Sequence, residues 1–352
     1  MINFPWNWKI SDGFPAAGVE YHGSRVFSCF SCGGGSSFGY KLAGFNVLGG
    51  VEIDKPIHDI YQKNHHPKFL FNEDIRIFLK RKDLPRELFN LDILDGSPPC
   101  TPFSMAGIRE DGWGVERKYA EGRVLQTLDD LFFVFIELAK VLQPKIIVIE
   151  NVPGLNIGKA AKKYMPQIID AIDDAGYDCI FKTLDSSRMG VPQKRKRIFF
   201  LCVRKDLNIK KTGIFKTVPR INLNFNQPAI PAKDILDDAD IKEAGETRGR
   251  ELWGKAGVGG AFSDHVSGGG WFQHSRLSPN LPVPTLVCGC PHGSWHPHIC
   301  RILNKNEWIN ASTFPQDYEF DGKHHYIIGN SVPPVMMANL SHQIYLQWLK
   351  NL

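Results

Sequence analysis

The sequence predicts an α/β fold in which a sheet is covered by helices on both faces. Three observations support it. A strand at residues 25–30 runs through a cluster of glycines into a helix. Residues 145–149 form a nearly continuous apolar run, which is typical of a strand buried on both faces. Residues 128–142 carry apolar side chains at the spacing of a helix with one buried face.

The composition excludes a membrane protein and a disulfide-stabilised secreted domain. The 352 residues, 43% of them hydrophobic and with a net charge of +5, are enough for one large domain or two smaller ones. A basic chain permits a polyanionic partner without requiring one. The 8 cysteines are scattered, the first residues lack the pattern of a secretory signal peptide, and no apolar run could span a bilayer. We therefore expect reduced thiols, a cytoplasmic location and no membrane contact.

The first strand leads into a candidate nucleotide-type site. The glycine cluster at 33–35 lets the backbone approach a ligand closely, and the helix after it, predicted to end near Gly44, offers free N–H groups. The next strand begins near Val47 and leads into Glu52 and Asp54, at the spacing from which an acid can bind ribose hydroxyls. Either acid could instead be a solvated strand end.

Cys100 lies on a stiffened loop after a short apolar strand at 91–94. Pro98 and Pro99 restrict the backbone just before the thiol, and open α/β sheets carry their chemistry at the carboxyl ends of strands. A buried, inert cysteine is the commoner alternative, but the flanking residues are loop-forming. Residues 103–123 follow as a long basic loop, which suits a phosphate backbone or is a disordered surface excursion.

Two further strand ends carry charged side chains. The strand at 145–150 ends at Glu150, and a partly buried carboxyl group there can hold or deliver a proton; a solvated acid is the alternative. In an extended chain, Gln193, Arg195 and Arg197 point to one side of the backbone. That face presents two guanidinium groups suited to a phosphate or a base carbonyl, unless it is simply a solvated basic face.

The composition changes near residue 206, and we predict a second, smaller and irregular domain from there to residue 300. Its cysteines and histidines match no standard zinc finger, so we assign no metal site; they are Cys288, Cys290, His292, His296, His298 and Cys300. A helix with a turn at Phe314-Pro315 is predicted at 301–320. A final helix at 335–349, capped by Asn330 or Ser331, has an apolar stripe that needs the core of the first domain.

Taken in order, the motifs of this chain resemble those of the DNA (cytosine-5)-methyltransferases of bacteria and phages, from about residue 25 to residue 350 outside the variable region 206–280. The motifs that carry the resemblance are Ser97-Pro98-Pro99-Cys100, Glu150-Asn151-Val152, Gln193-x-Arg195-x-Arg197 and Gly329-Asn330-Ser331-Val332. The chain departs from the family at four positions: Ser28 stands where an acid is usual, Cys32 where glycine is usual, Ile53 where an aromatic ring is common and Thr101 where glutamine is common.

The resemblance implies a Rossmann-like sheet of the S-adenosylmethionine-dependent methyltransferases and methyl transfer to carbon 5 of a flipped-out cytosine in double-stranded DNA. It implies that Cys100 attacks carbon 6, that Glu150 binds N3, and that Arg197 holds O2 with Arg195 near the thiol. The implied cofactor residues are Phe30, Ser31, Gly33, Gly35, Glu52, Ile53, Asp74, Ile75, Ser97, Pro99, Leu131, Asn330 and Ser331.

The resemblance also implies a division of the chain. We expect an N-terminal extension at 1–24, a catalytic domain at 25–205 completed by 325–352, a target-recognition domain at 206–300 and a connecting segment at 301–324. We expect a monomer that binds double-stranded DNA. Methylation of RNA on the same fold, or an inactive DNA-binding relative, remains an alternative.

Overall fold

The structure is a computed structural model that describes residues 2–99, 131–212, 218–245, 247–267 and 270–352, without the side chains of 158–163, 211–212 and 218. Cys100 and the basic loop at 103–123 therefore lie outside the described residues. None of the helices in the described ranges is long and apolar enough to cross a membrane.

A seven-stranded sheet lies at the centre of the described structure, in the spatial order β3-β2-β1-β4-β5-β8-β6. Its strands are β1 (Arg25–Cys29), β2 (Asn46–Val51), β3 (Phe69–Phe71), β4 (Ile93–Gly96), β5 (Ile146–Asn151), β6 (Tyr177–Asp185) and β8 (Lys196–Arg204), with the short β7 (Gln193–Lys194) before the last. Strands β1 to β5 pair in parallel, whereas β8 runs antiparallel to β5 and β6. The start of β8 consequently lies at the same edge as the carboxyl end of β5.

Helices cover both faces of this sheet, as predicted. They are α1 (Gly35–Leu42), α2 (Lys55–His65), α3 (Ile75–Phe78), α4 (Leu131–Leu142) and α5 (Gly158–Asp174), then α6 (Arg248–Lys255), α7 (Lys305–Ser312), α8 (His324–Asn330) and α9 (Pro334–Gln347). One hydrophobic core joins the sheet to α1, α2, α7, α8 and α9, and a second joins it to α3, α4 and α5. Ile93 and Leu94, neighbours on β4, belong to different cores because alternate residues of a strand face opposite sides.

The described part of the segment 206–300 has little regular structure, as its composition predicts. Its short strands are β9 (Lys211–Thr212), β10 (Val218–Pro219), β11 (Ser275–Arg276), β12 (Val283–Pro284) and β13 (Ser294–Trp295). A small separate cluster includes Leu252, Phe262 and Trp295, while Leu223 and Val283 contribute to the core that contains α9. The exact boundaries of the domains remain predictions.

The N-terminal extension packs against the first domain. The rings of Trp8 and Phe38 on α1 meet edge to face at 5.4 Å, and the Trp8 indole donates to the Thr313 carbonyl at 2.9 Å. The Asp317 carboxylate accepts the backbone N–H groups of Ile10 and Ser11 at 2.7 and 3.0 Å. These hydrogen bonds join the residues before β1 to the segment between α7 and α8.

The predicted helix at 301–320 is wrong in its extent, since α7 covers only Lys305–Ser312. The Asn304 side chain accepts the N–H of Glu307 while the Glu307 carboxylate accepts the N–H of Asn304, which starts the helix there. Thr313 ends it with a left-handed backbone of φ 58°. Arg301 instead makes a two-pronged ion pair of 2.7 and 2.8 Å with the fully buried Glu307.

The predicted cap of the final helix is also wrong. Asn330 is the last residue of α8, and α9 begins at Pro334 without a side-chain cap, because proline at the first helical position has no N–H to satisfy. The predicted apolar stripe is confirmed: Met336, Leu340 and Ile344 are fully buried.

Gly39 lets α9 pack closely on α1. A Cβ atom at this position would lie 2.5 Å from both the Met337 Cβ atom and the Pro334 carbonyl oxygen. Alanine normally favours a helix by about 1 kcal/mol over glycine. We expect the reverse for Gly39→Ala, a loss of about 1–3 kcal/mol in the free energy of unfolding, measured by urea denaturation, because the two helices must separate.

Gly254 in α6 provides the matched control. A Cβ atom there would meet nothing within 4 Å. Gly254→Ala should therefore raise the free energy of unfolding by about 0.5–1 kcal/mol through the lower entropy of the unfolded chain. Stabilisation by both substitutions would contradict the close contact between α1 and α9.

Candidate active site

The candidate site lies at the edge of the sheet where β1, β4 and β5 end and β8 begins. In the ladders, Ser28 pairs with Asp95, and Glu150 pairs with Phe199. Since Phe199 is two residues after Arg197, the antiparallel direction of β8 brings Arg197 to the end of β5. Strand ends that are far apart in sequence thus meet in one place.

Glu150 and Arg197 form an ion pair that is largely withdrawn from water. The Arg197 Nε atom lies 2.8 Å from Glu150 Oε1, and the two side chains are 13% and 10% exposed. Burial lowers the pKa of Arg197, and the adjacent carboxylate opposes that shift. The structure therefore brings together two of the residues that the sequence predicts to be catalytic.

Arg195 is buried on the same side of the strand, with Lys194 and Lys196 exposed on the other side as predicted. Its guanidinium donates to the Leu286 carbonyl at 3.0 Å and to the Gly329 carbonyl at 2.8 Å. Burial sets the pKa of Arg195 well below its ordinary value, and the charge of Arg197 adds to that effect. Arg195 thus connects two distant segments of backbone, while its predicted neighbour Cys100 lies outside the described residues.

Asn151 fixes the turn that leads to Cys100. Its Nδ2 group donates to the Pro98 carbonyl at 3.1 Å, and the side chain is 4% exposed. This bond joins the end of β5 to the proline turn after β4. No separate role was predicted for Asn151, although its amide directly follows the acid at the end of the strand and could have indicated one.

A cleft opens between the glycine loop, the end of β4 and the junction of α8 with α9. It is lined by six of the residues predicted to bind the cofactor: Phe30, Ser31, Gly35, Ser97, Asn330 and Ser331. Asp95, which had no predicted role, lines it as well. The backbones of Phe30 and Cys32 are left-handed, with φ 56° and 46°, a conformation that non-glycine residues rarely adopt and that often marks a functional loop.

Two hydroxyl groups in this cleft have no well-aligned hydrogen-bond partner among the described residues. They are the Oγ atoms of Ser31 and Ser331, in residues 7% and 6% exposed, with the Cys32 thiol beside the second. A buried hydroxyl group without a partner costs about 1–3 kcal/mol. The cleft therefore fits a polar ligand such as the amino-acid end of S-adenosylmethionine.

Glu52 and Asp74 lie after β2 and β3, and backbone contacts orient both carboxylates. Glu52 accepts the N–H groups of Cys32 and Asp54 at 2.9 and 2.8 Å. Asp74 accepts the N–H of Arg76 at 2.8 Å. Ile53, next to Glu52, is 46% exposed and leaves an apolar surface beside these two acids.

The remaining predicted cofactor residues lie in less open positions. Ile75 and Leu131 begin α3 and α4 and are buried in the core that these helices share with the sheet. Pro99 is partly buried at the last described position before Cys100. A Cβ atom at Gly33 would lie 2.2 Å from the Ile327 side chain, and one at Gly35 would lie 2.2 Å from the Val332 carbonyl. Close packing on the C-terminal segment is therefore a second reason for these glycines.

Within the described ranges, no three histidine, cysteine or acidic side chains are grouped closely enough to hold a metal ion. The His296 Nδ1 atom accepts the N–H groups of His298 and Ile299, and the Cys290 Sγ atom lies 3.3 Å from His274 Nε2. These side chains therefore have local partners.

Residues 24–257 match the family model described as C-5 cytosine-specific DNA methylase. The chain belongs to this family, as predicted. The alignment with the Type II methyltransferase M.FnuDI of Fusobacterium nucleatum is 35% identical and covers 53% of this chain and 48% of that protein; the alignment with M.NgoPII of Neisseria gonorrhoeae is 33% identical and covers 62% and 58%. The matches thus span about half the length of these two relatives. M.MthTI of Methanothermobacter thermautotrophicus is 30% identical over 91% of this chain and 96% of its own length.

Solved structures confirm the fold. A DNA modification methyltransferase encoded within an E. coli prophage superposes with a TM-score of 0.62 at 23% identity, over 92% of this chain and 99% of that one. The S. pombe Dnmt2 methyltransferase gives a TM-score of 0.59 at 18% identity, over 92% and 98%. At these identities the likeness shows the shared architecture alone.

Proposed function

We propose that this chain transfers a methyl group from S-adenosylmethionine to carbon 5 of cytosine in double-stranded DNA at a specific sequence. The observation that carries the proposal is the buried pair of Glu150 and Arg197. It lies one strand away from a cleft in which two serine hydroxyl groups have no well-aligned partner among the described residues. A cytosine ring presents N3 and O2 side by side, which a carboxyl group and a guanidinium group can bind together.

When bound, S-adenosylmethionine supplies an electrophilic methyl group. Carbon 5 of cytosine is a poor nucleophile, and Cys100 is proposed to activate it. A bond from the thiolate Sγ to carbon 6 ends the aromaticity of the ring and makes carbon 5 nucleophilic. Once carbon 5 carries the methyl group, loss of its proton to a base expels the thiolate and restores the ring.

Glu150 and Arg197 are proposed to stabilise the charge that builds up during this addition. Negative charge moves toward N3 and O2, so a protonated Glu150 can donate to N3 while Arg197 donates to O2. Arg197 uses Nε for Glu150 and Nη1 for the Lys196 carbonyl at 2.7 Å. Its Nη2 group has no acceptor among the described residues, so it is the group proposed to reach O2.

The DNA duplex is the proposed partner, and it must open locally, because the target carbon is stacked inside the helix. Flipping the base out costs roughly a few kcal/mol.

We propose that residues 206–300 read the sequence, supported by their separate small core around Phe262 and by exposed side chains such as Phe272, which is 64% exposed. We propose a monomer; the relatives named Type II methyltransferases support a place in a restriction-modification system.

Transfer of tritiated methyl groups to duplex DNA and to tRNA, followed by analysis of the labelled nucleoside, tests the proposal. We expect label in the DNA as 5-methylcytosine. Label in tRNA alone would make RNA the substrate. No label in either, from a protein that still binds DNA, would identify an inactive relative and refute the proposed activity.

A further inference from the structure

Asp95 is a buried acid in the cleft that the proposed mechanism leaves without a role. It is the third residue of β4 and is 1% exposed, yet it lines the cleft. Ser28 Oγ donates to one carboxyl oxygen at 2.7 Å, and the Tyr40 hydroxyl donates to the other at 3.2 Å. Each oxygen retains a further lone pair. A buried carboxyl group is costly unless it is paired, so Asp95 needs an explanation.

The position of Asp95 supplies one. Ser28 stands where members of this family usually carry an acid, and Asp95 is its direct partner in the ladder between β1 and β4. Neighbouring strands lie about 4.8 Å apart, so a carboxyl group on β4 can reach the same part of a ligand as one on β1. In this chain the acid is on the adjacent strand, and the serine that replaces it donates to the acid.

The order of the strands indicates which part of the ligand lies there. Asp74 follows β3 and Glu52 follows β2. Asp74-Ile75 resembles the adenine contact of the family, and the spacing of Glu52 after the glycines suits ribose hydroxyls. The next strands in space are β1 and β4. A ligand that crosses the strand ends in this order places its methionine end over Ser28 and Asp95, beside the hydroxyl groups of Ser31 and Ser331.

We propose that Asp95 binds the ammonium group of the methionine end of S-adenosylmethionine and replaces the acid that Ser28 lacks. This assignment rests on the proposed cofactor. A cation that is withdrawn from water binds a carboxylate strongly, whereas a serine at position 28 offers only a dipole.

The protonation state of Asp95 should make the affinity for the ammonium group depend on pH. Burial raises the pKa of this carboxyl group to about 7, the bonds from Ser28 and Tyr40 oppose the shift, and the charge of Glu150 adds to it. A bound ammonium group favours the carboxylate form, so binding releases a proton and the affinity rises with pH up to about 7. Among the neighbouring groups, burial raises the pKa values of Cys29, Tyr40 and Tyr61, which keeps these groups neutral in this range.

Calorimetric binding of S-adenosylhomocysteine and of 5′-methylthioadenosine, which lacks the ammonium group, tests the assignment without turnover. We expect Asp95→Asn to weaken binding of S-adenosylhomocysteine by roughly 10- to 100-fold and to leave 5′-methylthioadenosine unchanged. Between about pH 5.5 and pH 7, below the titration of an α-ammonium group, the wild-type affinity should rise several-fold, and this dependence should vanish in Asp95→Asn. In Glu150→Gln it should persist with its midpoint at lower pH, because the charge of Glu150 no longer raises the pKa of Asp95.

Moving the acid from position 95 to position 28 tests the assignment most stringently. Asp95→Ser should lose affinity for S-adenosylhomocysteine, and adding Ser28→Asp in the same chain should restore it. Equal effects of Asp95→Asn on both ligands, or none on either, would overturn the assignment. Absence of wild-type binding would refute the cofactor itself, whereas binding without methyl transfer would refute only the proposed reaction.

Discussion

Replacing Cys100 by alanine is expected to reduce methyl transfer to duplex DNA at least about 1,000-fold, because the bond to carbon 6 that activates carbon 5 can no longer form. Binding of S-adenosylhomocysteine and of DNA should stay within about twofold of the wild type, since the thiol contributes to chemistry rather than to affinity. Tritium transfer under single-turnover conditions measures the rate, and calorimetry and gel-shift titration measure the two affinities.

Cys179 offers a matched control for this substitution. It is a free, partly buried thiol on β6, at the far edge of the sheet from the glycine loop. Cys179→Ala should therefore keep wild-type turnover. Normal turnover by Cys100→Ala, or an equal loss in both variants, would refute the assignment of Cys100 as the nucleophile.

Glu150→Gln is expected to slow methyl transfer by about 100- to 10,000-fold, the usual contribution of a positioned acid or base. Glutamine keeps the shape of the side chain, and its carbonyl oxygen can still accept from Arg197 Nε, which lies 2.8 Å from the native carboxylate. The variant can still donate an amide N–H to N3 but cannot transfer a proton to it, while the contact with Arg197 is conserved. Single-turnover rates at saturating DNA and methyl donor isolate this effect from binding.

The companion substitution Arg197→Lys keeps the charge at this position but removes the forked guanidinium. Since Nε and Nη1 already hold Glu150 and the Lys196 carbonyl, a lysine cannot replace all three proposed contacts. We expect methyl transfer by Arg197→Lys to be slow as well, with unchanged binding of S-adenosylhomocysteine. An unchanged rate for Glu150→Gln would contradict the role assigned to the carboxyl group.

Local sequence patterns predicted much of the fold. The alternation of Gln193, Arg195 and Arg197 with two exposed lysines could be read because side chains of a strand alternate between faces. The buried strand β5 and the apolar stripe of α9 followed from hydrophobic periodicity. The helix predicted at 301–320 is too long, because the reciprocal cap of Asn304 and Glu307 starts it at Lys305 and the left-handed backbone of Thr313 ends it.

The contacts that build the site depend on long-range packing and could not be predicted in this way. Arg195 donates to carbonyl groups 91 and 134 residues away along the chain. Asp95 followed the strand predicted at 91–94 and had no predicted role, and only the register of β1 against β4 places it beside Ser28. The departure at Ser28 was visible in the sequence, but the compensating acid was not.

A covalent trapping experiment tests the central claim most directly. The recognition sequence is first mapped from 5-methylcytosine in the genome of an expressing host, and the target cytosine of a duplex is then replaced by 5-fluorocytosine. Because fluorine cannot leave as a proton does, the thiolate should remain bonded to carbon 6, and mass spectrometry should find the adduct on Cys100 only when S-adenosylmethionine is present. An adduct on another cysteine, or none from a protein that methylates the ordinary duplex, would contradict the proposed mechanism.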